Sequence, residues 1–386
     1  MAFGGGTISL FFNGKQIEQV DRYKYLGTII RSVKMANQDI FIANYAYLCD
    51  QARKAIFGAQ RKIKGFGVTP PHIKLYLFDS LIKPILTYGS EVWRVSKMGQ
   101  DQIDKVFLRY ARHAIGVKPN TSSLMVLGEV GYHPPSVYCM ISLMCFVNRL
   151  HHLPSDTIAK TMFSDLKNLN DLGFRSWVSF AMESIQSHDL DLDLSPNDFK
   201  RACKTKLMET CVNQRHGDIC DVAAHPILRT YNTFKSSFVY EPYLLSVKNH
   251  KYRNAITRLR TSSHRLEIEI GRHHKPKIPV KDRLCHMCGV VEDEYHFVMF
   301  CKINIFERAL LMSKIRNIIP IQTCSYNEIF RYIMSTNEPY VSSLFGKFVH
   351  NSFEKRSCLL TDYGCLLKAG SYLQLNACIL YFHNIT

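Results

Sequence analysis

Residues 1–35 alternate in the manner of β-strands. The run SLFFNG carries the turn signal Asn13-Gly14, with apolar residues on both sides. The stretch that follows, QIEQVDRYKYLGTII, alternates at Tyr23 and Tyr25. These patterns predict a β-hairpin at the N-terminal end. Because a two-stranded ribbon alone is only marginally stable, we expect it to pack against another part of the chain.

Beyond residue 35 the apolar positions recur with the period of α-helices. Residues 38–64 interleave basic and apolar side chains in a helical pattern. The segment HIKLYLFDSLIKPILTYG is apolar on nearly every face, which predicts burial, and Pro84 within it should kink or break the helix. The segment DQIDKVFLRYARHAIG has a single apolar face, with Asp101 as a candidate N-cap and Gly116 at the C-terminal end. The chain as a whole is therefore predicted to be mainly α.

The composition is that of a folded, strongly basic protein. Lys and Arg number 49 against 32 Asp and Glu, a net charge of +17, which favours a polyanionic partner such as nucleic acid. The 13 cysteines show no pairing pattern and the first residues do not resemble a signal peptide. We therefore expect reduced thiols and a location in the nucleus or cytoplasm. No apolar run approaches the roughly 18 residues of a transmembrane helix, so no membrane partner is expected.

The positive charge is concentrated between Lys248 and Arg283. This segment contains eleven Lys and Arg and four His, but only three acidic residues. On one continuous helix, an apolar stripe from Tyr252 to Leu266 would have basic residues on both flanks. A solvated face is the alternative, because most charge runs are solvated. The segment is predicted to contact nucleic acid through these residues: Lys251, Arg253, Arg258, Arg260, His264, Arg265, Arg272, Lys275, Lys277, Lys281 and Arg283.

The most specific chemical pattern directly follows this basic segment. Cys285, Cys288, His296 and Cys301 have the spacing C-x2-C-x7-H-x4-C, and Gly289 suits the turn after the second cysteine. Chance proximity of cysteines and histidines is the alternative interpretation. With four good ligands and no open position, the predicted zinc is structural and not catalytic. His286, inside the C-x2-C turn, is expected to point away from the metal.

Two separated regions resemble the reverse transcriptases of non-LTR (LINE-type) retrotransposons. The string FFNGKQIEQVDRYKYLGTII and the later LYLFDSLIKPILTYGSEVW are similar to a strand pair that follows the polymerase palm and to a thumb signature. The strings RLRTSSHRLEIEIGR, RLCHMCG and EDEYHFVMFC are similar to the basic lead-in and CCHC zinc knuckle of these enzymes. The resemblance covers about residues 8–356 and implies that the same Cys and His residues bind the metal.

The resemblance implies an order of parts along the chain. It predicts an N-terminal β-hairpin remnant of a palm, a helical thumb and linker bundle, and a small zinc-knuckle module followed by a C-terminal helix. The last residues, with few charges and three cysteines, leave the family pattern. The predicted boundaries are 1–35 for the palm-edge hairpin, 36–130 for the thumb, 131–245 for the linker, 246–320 for the basic helix and knuckle, 321–356 for the C-terminal helix and 357–386 for the atypical tail.

One departure from the family decides the expected activity. Polymerases of this kind hold two Mg²⁺ ions with carboxylates that include an adjacent Asp pair, and no Asp-Asp dipeptide occurs in the sequence. We expect neither a magnesium site nor polymerase activity. The leading hypothesis is a non-catalytic fragment that binds RNA or DNA through the basic helix and zinc knuckle.

Three alternatives stay open at this point. The chain could act in trans as an accessory to a complete reverse transcriptase, or it could be a degenerate transposon product with no stable role. A zinc-dependent hydrolase or deaminase is disfavoured, because that chemistry needs an open zinc position and a Glu in an H-x-E triplet. No such triplet occurs in the sequence.

Overall fold

The computed structural model describes residues 9–31, 40–93, 96–173, 176–316, 318 and 323–368. The described chain is mainly helical, with two small N-terminal β-hairpins, which confirms the predicted fold class. It divides into two compact units: unit 1 comprises residues 1–114 and 126–221, and unit 2 comprises 115–125 and 222–386. No helix among the described residues is long and apolar enough to cross a membrane. Most of the atypical tail, 369–386, lies outside the described residues.

The predicted N-terminal hairpin is present. Strand β1, Leu10–Phe12, pairs antiparallel with β2, Lys15–Ile17. Asn13 and Gly14, which connect the strands, both have positive φ, 49° and 75°. That is the backbone of a tight hairpin turn, which Asn-Gly adopts readily.

A second hairpin follows immediately and packs onto the first long helix. Strand β3, Arg22–Tyr25, pairs with β4, Thr28–Arg31. The amide of Ile29 donates to Oδ1 of Asn44 in helix α1, Ile42–Ile63, at 3.0 Å. This contact supplies the packing that an isolated ribbon lacks.

Unit 1 is otherwise helical. Asn148 donates from Nδ2 to the carbonyl oxygens of Leu192 and Leu194, and so fixes the acidic loop against the helical core. After α1, the helices that lie wholly or partly in unit 1 are α2 Pro71–Leu77, α3 Lys83–Leu86, α4 Lys97–Ile115, α5 Ser123–Val130, α6 Pro135–His151, α7 Ile158–Asp171, α8 Trp177–Ser187 and α9 Pro196–Cys220.

Two sequence expectations for this region can be compared with the structure. A π-helical turn, Phe78–Ile82, interrupts the segment before Pro84, as expected for a residue that lacks an amide donor. The prediction that Asp101 caps the next helix is wrong. Helix α4 begins four residues earlier, where Ser96 Oγ accepts a hydrogen bond from the Gly99 amide at 3.2 Å. Gly116 follows the last residue of α4 with φ 75°, as predicted.

Unit 2 is built around its longest helix, the last one. Its helices are α10 Tyr231–Phe234, α11 Tyr243–Ser246, α12 His250–Arg260, α13 Glu267–His273, α14 Glu294–Met299, α15 Ile305–Ile315, α16 Tyr326–Ser335 and α17 Pro339–Lys368. Helices α12 and α17 run against each other. They meet at Gly346, where an added Cβ would lie 2.9 Å from Cβ of Tyr252, so only glycine permits this approach.

The single basic helix expected between Tyr252 and Leu266 is not formed. Helix α12 ends at Arg260, Ser262 takes a positive φ of 51°, and the Ser263 amide turns back to the Arg258 carbonyl at 2.8 Å. Leu266 instead precedes α13 as its N-cap. The two flanks that a continuous helix would present are therefore rearranged by this turn.

Candidate metal centre and basic surface

The metal-binding segment begins with a tight turn that carries two cysteines. Leu284 and Val291 form an antiparallel bridge, and the Cys285 amide donates to the Val290 carbonyl at 2.7 Å. Within this loop the Gly289 amide returns to the Cys285 carbonyl at 2.9 Å, and Gly289 has φ 69°. The turn requires this left-handed backbone, which explains the glycine after the second cysteine.

A short helix supplies the second half of the segment. Asp293 caps α14 by accepting the His296 amide at 2.7 Å. The Cys301 amide then donates to the His296 carbonyl at 2.8 Å, just after the helix ends. The histidine and the last cysteine are thereby held on the same side of the helix end, facing the C-x2-C turn.

The four predicted ligands lie together. One ligand atom from each of Cys285, Cys288, His296 and Cys301 falls within 4.8 Å of the others, and three of the four residues are buried. The Sγ atoms of Cys285 and Cys301 are 3.8 Å apart. A tetrahedral zinc with Zn–S bonds of about 2.3 Å separates its sulfur ligands by roughly that distance.

The donor set fits a metal ion on a second observation. Nε2 of His296 is buried and makes no hydrogen bond within the described residues. A buried ring nitrogen without a partner is costly, and a metal ion would complete it. The cluster also favours a thiolate, because the hydrogen bond from Cys301 lowers the pKa of the Cys285 thiol. The group can therefore hold a metal such as zinc. His286 lies outside it, with its ring 3.3 Å from Glu267.

Two glutamates between the ligand pairs fasten the segment to the helices of unit 2. Glu292 is 1% exposed and accepts two short bonds from Arg356 of α17. It also accepts the Glu267 amide at the start of α13, at 2.8 Å. A buried carboxylate needs such partners, since an unpaired charge here would be strongly destabilising.

Glu294 is the second buried carboxylate, fully covered and bound from several sides. Arg229 reaches both of its oxygens, at 3.0 and 3.1 Å, and Thr230 Oγ1 donates at 2.7 Å. His264 Nε2 lies 2.9 Å away, and Ser262 Oγ 3.1 Å. Burial alone would raise the pKa of Glu294, but the bonds from His264 and the charge of Arg229 outweigh it and the pKa is lowered. The acidic triplet EDE is thus structural, and sequence reasoning did not assign it a role.

Three of the predicted nucleic-acid contacts are buried. Arg253 donates to the Val247 carbonyl at 2.9 Å, and Arg260 pairs with Glu241 at 2.9 Å and lies over the Phe234 ring. His264 is committed to Glu294. These side chains stabilise unit 2 from the inside. Because they are buried, they are not accessible to a phosphate.

The other predicted contacts lie at or near the surface. Arg272 and Arg283 are half-buried, and Arg283 donates to the carbonyls of Ile268 and Ile278 at 2.7 and 2.9 Å. Arg258 donates from Nε to the Gly116 carbonyl at 2.9 Å. The exposed members of the set are Lys251, Arg258, Arg265, Lys275, Lys277 and Lys281.

A further cation joins this surface from a distant part of the sequence. Lys118 lies in the loop after α4, where its amide donates to Ser263 Oγ at 2.9 Å and its Nζ to the His264 carbonyl at 2.8 Å. It is more than a hundred residues from the basic segment, so no local pattern could have placed it there. Only the fold of unit 2 brings it into the set.

Comparison with known proteins gives a partial relationship. Over 104 residues the chain is 29% identical to a Caenorhabditis elegans protein described as an uncharacterized transposon-derived protein. The match covers 26% of this chain and about a third (34%) of the length of that relative. The chain is therefore a distant, partial homologue of a transposon-derived protein. No protein-family model matches it, and neither does any solved structure.

Proposed function

We propose that this chain is a transposon-derived, reverse-transcriptase-like protein that binds RNA or DNA without copying it, through a basic surface braced by a zinc-binding knuckle. The observation that carries the proposal is the position of the exposed cations in unit 2. They lie on α12 and in the segment that leads into the Cys3His group. The similarity to a transposon-derived protein also supports nucleic-acid binding, because transposable elements act on their own RNA or DNA.

In this proposal zinc has a structural role. Cys285, Cys288, His296 and Cys301 would hold it, and the four ligands complete its coordination with no position left for a reacting water. A bound ion would link the two ligand pairs across the loop between them. Glu292 and Glu294 fasten that loop to α17 and to the residues around Arg229.

The exposed cations would neutralise backbone phosphates. Lysines such as Lys251, Lys275, Lys277 and Lys281 carry mobile point charges, which suit phosphate contact and carry little base information. Affinity should therefore fall steeply with salt, with modest sequence preference. Single-stranded or structured RNA is the expected target over duplex DNA, since knuckles capture unstacked bases.

The test is titration of the full chain against fluorescent single-stranded RNA, hairpin RNA and duplex DNA over a range of salt concentrations. Replacing Lys251, Lys275, Lys277 and Lys281 together by Gln should weaken RNA binding. It should also reduce the slope of log K against log salt by up to about three units for single-stranded RNA, at roughly 0.7 per phosphate contact.

A matched variant with Lys314→Gln and Lys347→Gln removes exposed charge elsewhere in unit 2 and should keep the slope of the unaltered protein. The proposal fails if the unaltered, zinc-loaded chain binds no nucleic acid. It also fails if both variants lose the same slope per charge removed, because net charge alone would then account for binding.

A further inference from the structure

We propose that a cleft in unit 2, between the loop that carries Lys118 and the turn that joins α12 to α13, receives one backbone phosphate of the bound strand. This inference rests on the proposed function and adds a defined subsite to it. The turn at Ser262 and Ser263 forms one side of the cleft, and Lys118 and the exposed edge of α13 form the others.

The cleft has a size and a lining suited to one phosphate with its sugar. Its volume is about 350 Å³, near the lower end of ordinary ligand sites. Two of its lining residues, Ile227 and Ile270, are aliphatic, and the others carry polar or charged side chains. The lining residues on which the argument depends are Lys118, Ser262, Ser263, Arg265, Glu269 and Arg272.

Cations converge on this cleft. Burial lowers the pKa of Lys118, the charge of Arg265 lowers it further, Glu269 acts in the opposite direction, and Arg258 and Arg272 add to the lowering. Like charges gathered at one place repel each other, and an anion between them relieves that repulsion. The acidic member of the lining, Glu269, is already compensated by Arg229 at 3.2 Å and Arg272 at 2.7 Å.

The cleft is fixed by the fold before any ligand binds. The backbone of Lys118 is bonded to Ser263 Oγ, and its Nζ to the His264 carbonyl, which leaves further ammonium hydrogens for a ligand. The positive φ of Ser262 shapes the opposite wall. Arg265 is exposed and has no intramolecular partner among the described residues, so its guanidinium is available for a bidentate contact.

A single shared phosphate makes a specific prediction, because the salt dependence counts phosphates and not protein charges. Arg265→Gln and Lys118→Gln should each weaken binding of single-stranded RNA and reduce the salt slope by less than one unit. The double variant should lose no more slope than about one unit in total, the contribution of one phosphate. The control pair Lys314→Gln and Lys347→Gln should leave the slope unchanged.

Folding of each variant is checked by circular dichroism and zinc content. Arg265→Gln, which removes no intramolecular bond, decides the matter if Lys118→Gln is unstable. If the double variant loses about two units of salt slope, Lys118 and Arg265 contact two separate phosphates and the single-phosphate cleft is wrong. It is also wrong if Arg265→Gln binds RNA with the affinity and salt slope of the unaltered protein. In both cases the unaltered protein still binds RNA and the proposed function stands. Absence of RNA binding by the unaltered protein would overturn both.

Discussion

Arg356 binds Glu292 through two parallel bonds, 2.7 Å from Nε and 2.6 Å from Nη2. The glutamate lies in the loop between Cys288 and His296, and the arginine lies on α17, so the last helix of unit 2 grips the metal-binding segment directly. Burial lowers the pKa of Arg356, but the bond and charge of Glu292 outweigh it and raise the pKa. Arg356 therefore stays charged, and the pair couples the stability of the metal-binding segment to that of the helix.

Breaking this pair should destabilise unit 2 strongly. Arg356→Met leaves the buried Glu292 without its ion-pair partner, a change that costs about 3–5 kcal/mol in proteins. Hydrogen exchange measured by mass spectrometry should show a loss of protection across 285–301 and in α17. Glu354→Gln, an exposed change on the same helix, should leave both segments protected. Equal protection in the two variants would mean that the ion pair contributes little.

The metal group should bind one equivalent of zinc per chain under reducing conditions. Cys288→Ser should lose most of that zinc, because serine oxygen is a poor replacement for a thiolate. Cys220→Ser, an exposed cysteine in unit 1, should retain it. Elemental analysis of the purified chains measures this directly.

Loss of zinc should also loosen the segment, because ligation energy in small metal modules is folding energy. Amides within 285–301 should exchange faster in Cys288→Ser and in chelator-treated protein. A metal-free chain whose amides there remain fully protected would contradict a zinc-dependent knuckle and leave a cluster of free thiols.

Unit 1 should become less stable as the pH rises from about 4 to 6. Asp104 accepts the amide and hydroxyl of Ser136, at 3.0 and 2.6 Å, and burial raises the pKa of its carboxyl to about 6. The folded state then keeps a proton that the unfolded chain releases near pH 4. The unfolding free energy therefore falls through this window, by on the order of 2 kcal/mol, and levels above it.

Tryptophan fluorescence during urea unfolding measures this effect, since both tryptophans, Trp93 and Trp177, lie in unit 1. Asp104→Asn should remove the pH dependence in that window, and Glu209→Gln, an exposed carboxylate change, should preserve it. A wild-type stability that rises between pH 4 and 6 would contradict the assignment to Asp104.

Local spacing predicted the metal group well, for a physical reason. Two of its ligand relationships are set within one turn or one short helix: Cys285 with Cys288, and His296 with Cys301. Asn13-Gly14 likewise encodes its own turn. Such features need only neighbouring residues, so the sequence pattern carries enough information to predict them.

Burial of charge could not be predicted in the same way. Arg253 and Arg260 look like surface cations in a basic run, but Arg260 meets Glu241 and His264 meets Glu294, partners supplied by the tertiary fold. The turn at Ser262 ends α12 before Leu266, and no glycine in the sequence at that point would have predicted it. Lys118 enters the basic surface only through a contact far along the chain.

The chain should not incorporate nucleotides. Reverse transcriptases hold Mg²⁺ with carboxylates that include an adjacent Asp pair, and no Asp-Asp dipeptide occurs in this sequence. A primer-extension assay on an RNA template should therefore give no product with the purified chain, even with Mg²⁺ present. The control for contaminating polymerase is a mock purification carried out in parallel. Template-dependent product from the unaltered chain and none from a mock purification would place catalysis in residues we have not identified.

Two basic residues on one helix allow the effect of an exposed charge to be compared with that of a buried one. Lys251 and Arg253 are two positions apart in α12, but Lys251 is exposed and Arg253 is 5% exposed, with its guanidinium on the Val247 carbonyl. Lys251→Gln should reduce the RNA salt slope by about 0.7–0.9 and leave the unfolding free energy of unit 2 unchanged.

Arg253→Gln should have the reverse effect. It removes a charge of the same sign from the same helix, so an account based on net charge predicts equal losses of RNA affinity for the two variants. The structure instead predicts a loss of stability for Arg253→Gln, because the buried carbonyl loses its charged donor, at a cost of about 1–3 kcal/mol. Its salt slope should stay that of the unaltered chain wherever the variant is folded. If Lys251→Gln and Arg253→Gln reduce the salt slope of RNA binding equally, burial does not govern which cations contact the nucleic acid.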